Sequence, residues 1–148
     1  YQESHWNPRA KSPTGVRGIM MLTLTTAKRM NVESRLNAEE SIMGGARYMA
    51  ELLDAVPESI READQLLYAL ASYNIGLGHM NDVRILADRL GLDRNRWNDL
   101  RDILPLLSQK EFYKTLKHGY ARGKEPVTYV TQIMDYRDIL DNVIQSDD

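Results

Sequence analysis

The run Tyr1-Gln2-Glu3-Ser4-His5-Trp6-Asn7-Pro8 sets one carboxyl among aromatic side chains. A carboxyl partly withdrawn from water keeps its proton to higher pH, which a general acid working near neutrality requires. Glu3 is therefore the first candidate for proton-transfer chemistry, and an ordinary solvated helix residue is the alternative. A second run, Ser12-Pro13-Thr14-Gly15-Val16-Arg17-Gly18-Ile19-Met20-Met21-Leu22, joins a turn to an apolar stretch. Its glycines allow tight turns or close approach of a ligand, and its methionines offer adaptable apolar surface. A loop leading into a buried helix explains the same residues. A third run, Ser72-Tyr73-Asn74-Ile75-Gly76, reads as a helix end whose tyrosine either packs in the core or turns its hydroxyl toward a carboxyl.

Other chemistries find less support. His5, His79 and His118 lack the i, i+4 spacing of a zinc-binding helix, and with no cysteine to assist them neither a metal nor a cofactor is expected. The same lack of cysteine excludes a disulfide or a thiol nucleophile and leaves the redox compartment unread. Arg94, Arg96 and Arg101 around Trp97 suggest a basic aromatic patch, but Asp93, Asp99 and Asp102 interleave with them, so a salt-bridged, solvated helix is expected instead. A net charge of −2 argues against nucleic acid as the main partner.

The elements that must position these residues follow from apolar periodicity. A chain of 148 residues, 43% hydrophobic and 27% charged, fits one domain able to bury roughly 70% of its unfolded surface. Asn37 and Glu40 have the spacing of a capping box, predicting a helix over about 38–56 with Ile42, Ala46, Met49, Leu53 and Val56 on one face. Gly44-Gly45 inside it suggests close approach by a neighbouring helix or a sugar chain. Leu66, Leu67, Leu70 and Ala71 form the face of a second helix from Asp64, ended or bent by Gly76 and Gly78. Helical spacing resumes over 79–90 through Met80, Val83, Leu86, Ala87 and Leu90, and again over 94–104. After a loop over 119–125, Pro126 suits the first position of a last helix with Val127, Val130, Met134, Leu140 and Ile144 as its buried stripe. Strand signals are nearly absent, so the expected class is all-α. No apolar run is long enough to span a bilayer. The first four residues read as the inside of an element whose start is missing, and the acidic end over 145–148 as a frayed terminus.

Together, Glu-Ser-x-x-Asn-Pro, Ser-Pro-x-Gly-x-x-Gly-Ile-Met and Tyr-Asn-x-Gly, in this order, resemble the soluble-type lytic transglycosylases of the lysozyme-like superfamily. Pro-Glu-Ser over 57–59, Leu-Leu-Ser-Gln-Lys over 106–110 and Gly-Tyr-Ala-Arg-Gly over 119–123 narrow the likeness to its membrane-bound murein members. The resemblance covers nearly the whole chain. It implies a lysozyme-like helical domain over 1–148, lacking a leading helix and an upstream solute-binding-like domain that would be regulatory. It also implies cleavage of peptidoglycan between N-acetylmuramic acid and N-acetylglucosamine with formation of 1,6-anhydromuramoyl ends. Glu3 falls at the family's single catalytic acid and base. Tyr73 matches the tyrosine that orients it, and Ser12, Met20 and Asn74 match positions that contact or shape the sugar site.

Many relatives carry Gln after the motif methionine, where Met21 stands here, so Met21 is assigned to packing or apolar lining. Tyr120 and Tyr129 are candidate stacking platforms for sugar rings, with a structural role as the alternative. The implied setting is the periplasm, with peripheral attachment to the outer membrane and glycan strands as the partner. Two rivals remain: a goose-type lysozyme-like hydrolase using water and a second carboxylate, and a catalytically idle murein-binding module.

Overall fold

A computed structural model describes residues 1–146, and Asp147 and Asp148 of the acidic end lie outside them. The elements are α1 (Leu24–Arg29), α2 (Ala38–Asp54), α3 (Glu62–Ile75), α4 (Leu77–Arg89), α5 (Trp97–Ile103), a 3-10 helix (Leu104–Ser108), α6 (Lys110–Tyr113) and α7 (Lys124–Ser146). Among the described residues, β pairing is limited to isolated antiparallel bridges of Lys11 with Arg17 and Arg17 with Leu22. The all-α expectation is met. Contacts group the chain into two compact units, Tyr1–Asp54 and the residues from Ala55 on.

In the first unit, α2 starts where the capping pattern places it, because the Asn37 side-chain oxygen accepts the Glu40 amide at 3.0 Å. The reciprocal half of the box does not form. The Glu40 carboxylate instead accepts the amides of Glu33 at 2.8 Å and Ser34 at 2.9 Å, tying the preceding loop to the helix. An anionic acceptor for two loop amides outbids the single Asn37 amide, which donates to the Ser34 carbonyl.

The face of α2 that packs is not the apolar one. Ser41, Gly44, Gly45 and Leu52 are buried, while Ile42 and Leu53 keep 41% and 40% of their surface in water. What approaches the double glycine is neither a helix nor a sugar but the side chains of the preceding loops. A Cβ on Gly45 would lie 2.6 Å from Met20 Cγ, and one on Gly44 would collide with Val32 Cγ2. The apolar run over 19–22 is likewise turn and bridge instead of the start of a helix, because Gly18 (φ 84°) and Met21 (φ 46°) take left-handed conformations. Helix begins only at Leu24, where the Thr23 hydroxyl accepts the Thr26 amide at 3.0 Å.

In the second unit, α3 is the central helix and packs on α4, α5 and α7. Tyr68, Ala69, Leu70, Ala71 and Ser72 are buried in succession, the mark of a helix enclosed on all sides, and Leu66 and Leu67 are half-buried. Gly76 (φ 94°) separates α3 from α4, donating its amide to the Ser72 carbonyl while its own carbonyl accepts from Met80. Met80, Val83, Leu86 and Ala87 of α4 are buried as expected, whereas Leu90 caps the helix and is exposed.

The helix expected over 94–104 is shorter. Residues 94–96 form a turn that delivers the Trp97 amide to Asp64 Oδ2 at 3.0 Å. Salt bridges Arg94–Asp88 (2.6 Å), Arg61–Asp93 (3.2 Å) and Arg101–Asp102 (3.2 Å) pair four of the charges around Trp97, and Asp99 Oδ2 accepts the Asp93 amide at 2.8 Å.

Pro126 is the third residue of α7, still in the first turn where a missing amide is harmless. Of the expected stripe, Val130 is buried and Val127 and Met134 are half-buried, but Leu140 and Ile144 keep 57% and 56% exposure. The reason is length: α7 has 23 residues against 14 in its main neighbour α3, an excess of about 13 Å that α3 cannot cover.

Gly44→Ala should separate the two roles of that residue. Helix propensity alone would favour alanine by about 1 kcal/mol, whereas displacing Val32 from a filled site costs about 1–3 kcal/mol. A net loss of about 1 kcal/mol with an unchanged m-value is expected in urea unfolding.

Candidate active site

The first unit holds Glu3, Ser12 and Met20. Glu3 is half-buried within a single helix-like turn in which the Tyr1 carbonyl accepts the amides of Ser4 at 3.3 Å and His5 at 2.7 Å. The chain then reverses. The Asn7 amide donates to the Ser4 carbonyl at 3.0 Å, and the intervening His5 (φ 52°) and Trp6 (φ 61°) are both left-handed. Tyr1 stacks on His5 with ring centroids 4.7 Å apart, and Asn7 Oδ1 accepts the Arg9 amide at 2.9 Å. The Ser4 hydroxyl oxygen is buried and has no hydrogen-bond partner.

Ser12 organises the following loop. Its hydroxyl pairs with Thr14 Oγ1 at 2.7 Å and accepts the Thr14 amide at 3.2 Å, while its backbone carbonyl accepts from Gly15. Met20, half-buried, wraps its side chain over Gly45 and donates its amide to the fully buried Ser41 hydroxyl at 3.1 Å. Met21 is half-buried in the adjoining turn.

Sequence reasoning missed the residue that fastens this loop. One nitrogen of Arg35, Nη1, donates to the carbonyls of Gly15 and Leu22, each at 2.9 Å, and a Cβ on Gly18 would collide with the Arg35 carbonyl. Nothing in the spacing around Arg35 signals this, because its partners are main-chain atoms.

The second unit holds Tyr73, Asn74 and Tyr120. Tyr73 is half-buried in the last turn of α3 and Asn74 beside it is exposed. Tyr120 is exposed and meets Tyr113 edge-on at 5.7 Å, whereas Tyr129 is buried, which favours the structural role for that ring. The segment carrying Tyr120 is tied to α4 by Asp82, whose buried carboxylate accepts the His118 amide at 2.8 Å. The His118 ring lies where a Cβ on Gly78 would be, 2.7 Å from its Cε1. An acidic residue flanked by Met80, Val83 and Leu86 on an apolar helix was the signal for Asp82.

His79 sits edge-on to His118 with centroids 5.8 Å apart, and its Nδ1 is buried without a partner. Burial pushes its pKa below the ordinary value of 6.5; Asp82 pulls it back up and His118 adds to the fall. Among the described residues, no group of three or more His, Asp or Glu side chains could hold a metal, and no helix is long and apolar enough to cross a membrane.

Residues 1–91 match the family model of the Transglycosylase SLT domain. The chain belongs to that family. The matched span of the SLT domain includes Glu3, Ser12, Met20, Tyr73 and Asn74, and ends before Tyr120. Lysozyme-like architecture follows from membership together with the helical, strand-free backbone among the described residues.

Three similar proteins all bear the name membrane-bound lytic murein transglycosylase F. The one from Maricaulis maris is 56% identical over 140 residues, covering 95% of this chain and 31% of the relative. The one from Saccharophagus degradans is 57% identical over 140 residues, covering 95% and 28%. The one from Marinobacter nauticus is 54% identical over 147 residues, covering 99% and 29%. This SLT chain thus spans about 30% of the length of the curated relatives it matches.

The depressed His79 pKa carries a sign. The unfolded chain takes up this proton at higher pH than the folded one, so the contribution to stability is complete above about pH 6.5 and is lost as pH falls through the folded pKa. Denaturant unfolding between pH 7.5 and 5 should show stability falling with acid, and His79→Gln should flatten the slope.

Proposed function

We propose that this chain is the catalytic domain of a peptidoglycan lytic transglycosylase. The observation that carries this reading is a family match that takes in the Glu-Ser-x-x-Asn-Pro, Gly-Ile-Met and Tyr-Asn-x-Gly motifs in one span. Relatives at 54–57% identity bearing the name of a murein transglycosylase support it.

In this reading Glu3 begins protonated and gives its proton to the glycosidic oxygen between N-acetylmuramic acid and N-acetylglucosamine as that bond breaks. The resulting carboxylate takes the proton of the muramic acid C6 hydroxyl, whose oxygen bonds to the anomeric carbon and closes a 1,6-anhydro ring. Glu3 ends as it began, protonated, and no water is consumed. An internal nucleophile is already in place, so one carboxyl suffices where a hydrolase needs a second to aim a water.

Tyr73 is proposed to orient the Glu3 carboxyl, and Ser12, Met20, Asn74 and Tyr120 to contact or shape the bound glycan. The same reading places the working enzyme in the periplasm, attached peripherally to the outer membrane, with a regulatory domain in the remainder of the protein. Of this placement, the relatives' shared name carries only the words membrane-bound.

Glu3→Gln should abolish lysis of purified murein sacculi while leaving sacculus binding intact. Mass analysis of the products from the unmutated chain should give anhydromuramoyl ends. Reducing muramic acid ends would point to a hydrolase, and binding without lysis would point to an idle module.

A further inference from the structure

The reversal after Glu3 is built from unsuitable residues. A turn with an i to i+3 hydrogen bond and positive φ at both central positions has the signs of type I′, which strongly prefers Asn-Gly. Here the central pair is His5-Trp6, two bulky L-residues that are each strained in the left-handed region. The strain is held in place from both sides. Upstream, Tyr1 stacks on His5; downstream, Asn7 closes its own turn onto the Arg9 amide ahead of the next loop.

Within residues 1–146 the ring that this turn presents is left in water. Trp6 keeps 61% of its surface in water, against 7% for Trp97, so among the described residues no burial of the indole offsets the conformation. A rigid, flat, apolar surface is thereby held in solvent three residues from Glu3. The ligand chemistry that matches it is a pyranose ring, whose C–H face is apolar and packs on the electron-rich face of an indole.

We infer that Trp6 is a sugar-stacking platform that seats a ring of the glycan next to Glu3. The inference deepens the transglycosylase reading and rests on it for the identity of the glycan.

The test uses the 148-residue chain carrying Glu3→Gln, so that binding is measured without turnover, and chitotetraose as the probe. Saturation should blue-shift the tryptophan emission, and Trp6→Phe should remove that shift while retaining part of the affinity. Trp6→Gly should weaken binding about tenfold, the loss expected of one stacked ring. Because glycine suits the turn, the same substitution should leave the melting temperature unchanged or raise it by about 2–4 °C.

Equal affinity with and without Trp6 would overturn the inference, as would a lower melting temperature in Trp6→Gly or no binding by the Glu3→Gln chain. If the unmutated chain fails to lyse sacculi while Trp6-dependent binding of chitotetraose persists, the platform is supported and the transglycosylase reading alone fails.

Discussion

Irregular backbone must find partners for its amides and carbonyls, and residues 1–23 contain no regular helix. In the first unit turns and the Arg17–Leu22 bridge meet much of that requirement within the segment, and the rest is met from outside it. Ser41 accepts the Met20 amide, Arg35 supplies donors for the Gly15 and Leu22 carbonyls, and Gly44 and Gly45 leave room for Val32 and Met20 to press against the α2 backbone. The small, polar face of α2 therefore faces inward. Its larger apolar residues, Ile42 and Leu53, are left on the outside. The position of Ser12 and Met20 depends on this arrangement more than on their own local preferences.

The second unit answers a different demand. α3 is enclosed on all sides, so its polar residues need internal partners, and the Ser72 hydroxyl donates to the Tyr68 carbonyl at 2.8 Å. Asp82 meets the same demand on α4 by taking the His118 amide, which fixes a stretch with few regular hydrogen bonds of its own. Arg84 repeats the pattern with Ser59 at 3.1 Å and Asn95 at 3.0 Å, joining the start of the unit to the turn before α5. Asp82 and Arg84 are thus buried polar side chains that each organise a loop that propensity leaves open.

Sequence periodicity captured what depends on neighbours along the chain. The start of α2 at Asn37, the break at Gly76 and the buried face of α4 all follow from local rules, and all are present. It missed what depends on partners far away in sequence. The hydrophobic spacing of Ile42, Ala46 and Leu53 is genuine, yet the packing face of α2 was decided by loops over 18–22 and 30–35 that no helical pattern describes. The last turns of α7 were misjudged because periodicity gives a face without giving the length of the helix opposite. At the candidate site, Glu3, Ser12, Met20, Tyr73 and Asn74 are singled out by motif resemblance alone. The left-handed turn at His5 and Trp6 is not, since both residue types disfavour it.

The seat beneath Met20 also limits how this region can be moved or redesigned. Because α2 offers bare main chain at Gly44 and Gly45, no side chain of those two positions can shift rotamer to absorb a different shape. Grafting the loop alone onto another helical scaffold would strand its carbonyls and collide with ordinary side chains. The smallest transferable module is the loop together with Arg35, Ser41 and the paired glycines, which are held to it by direct contact.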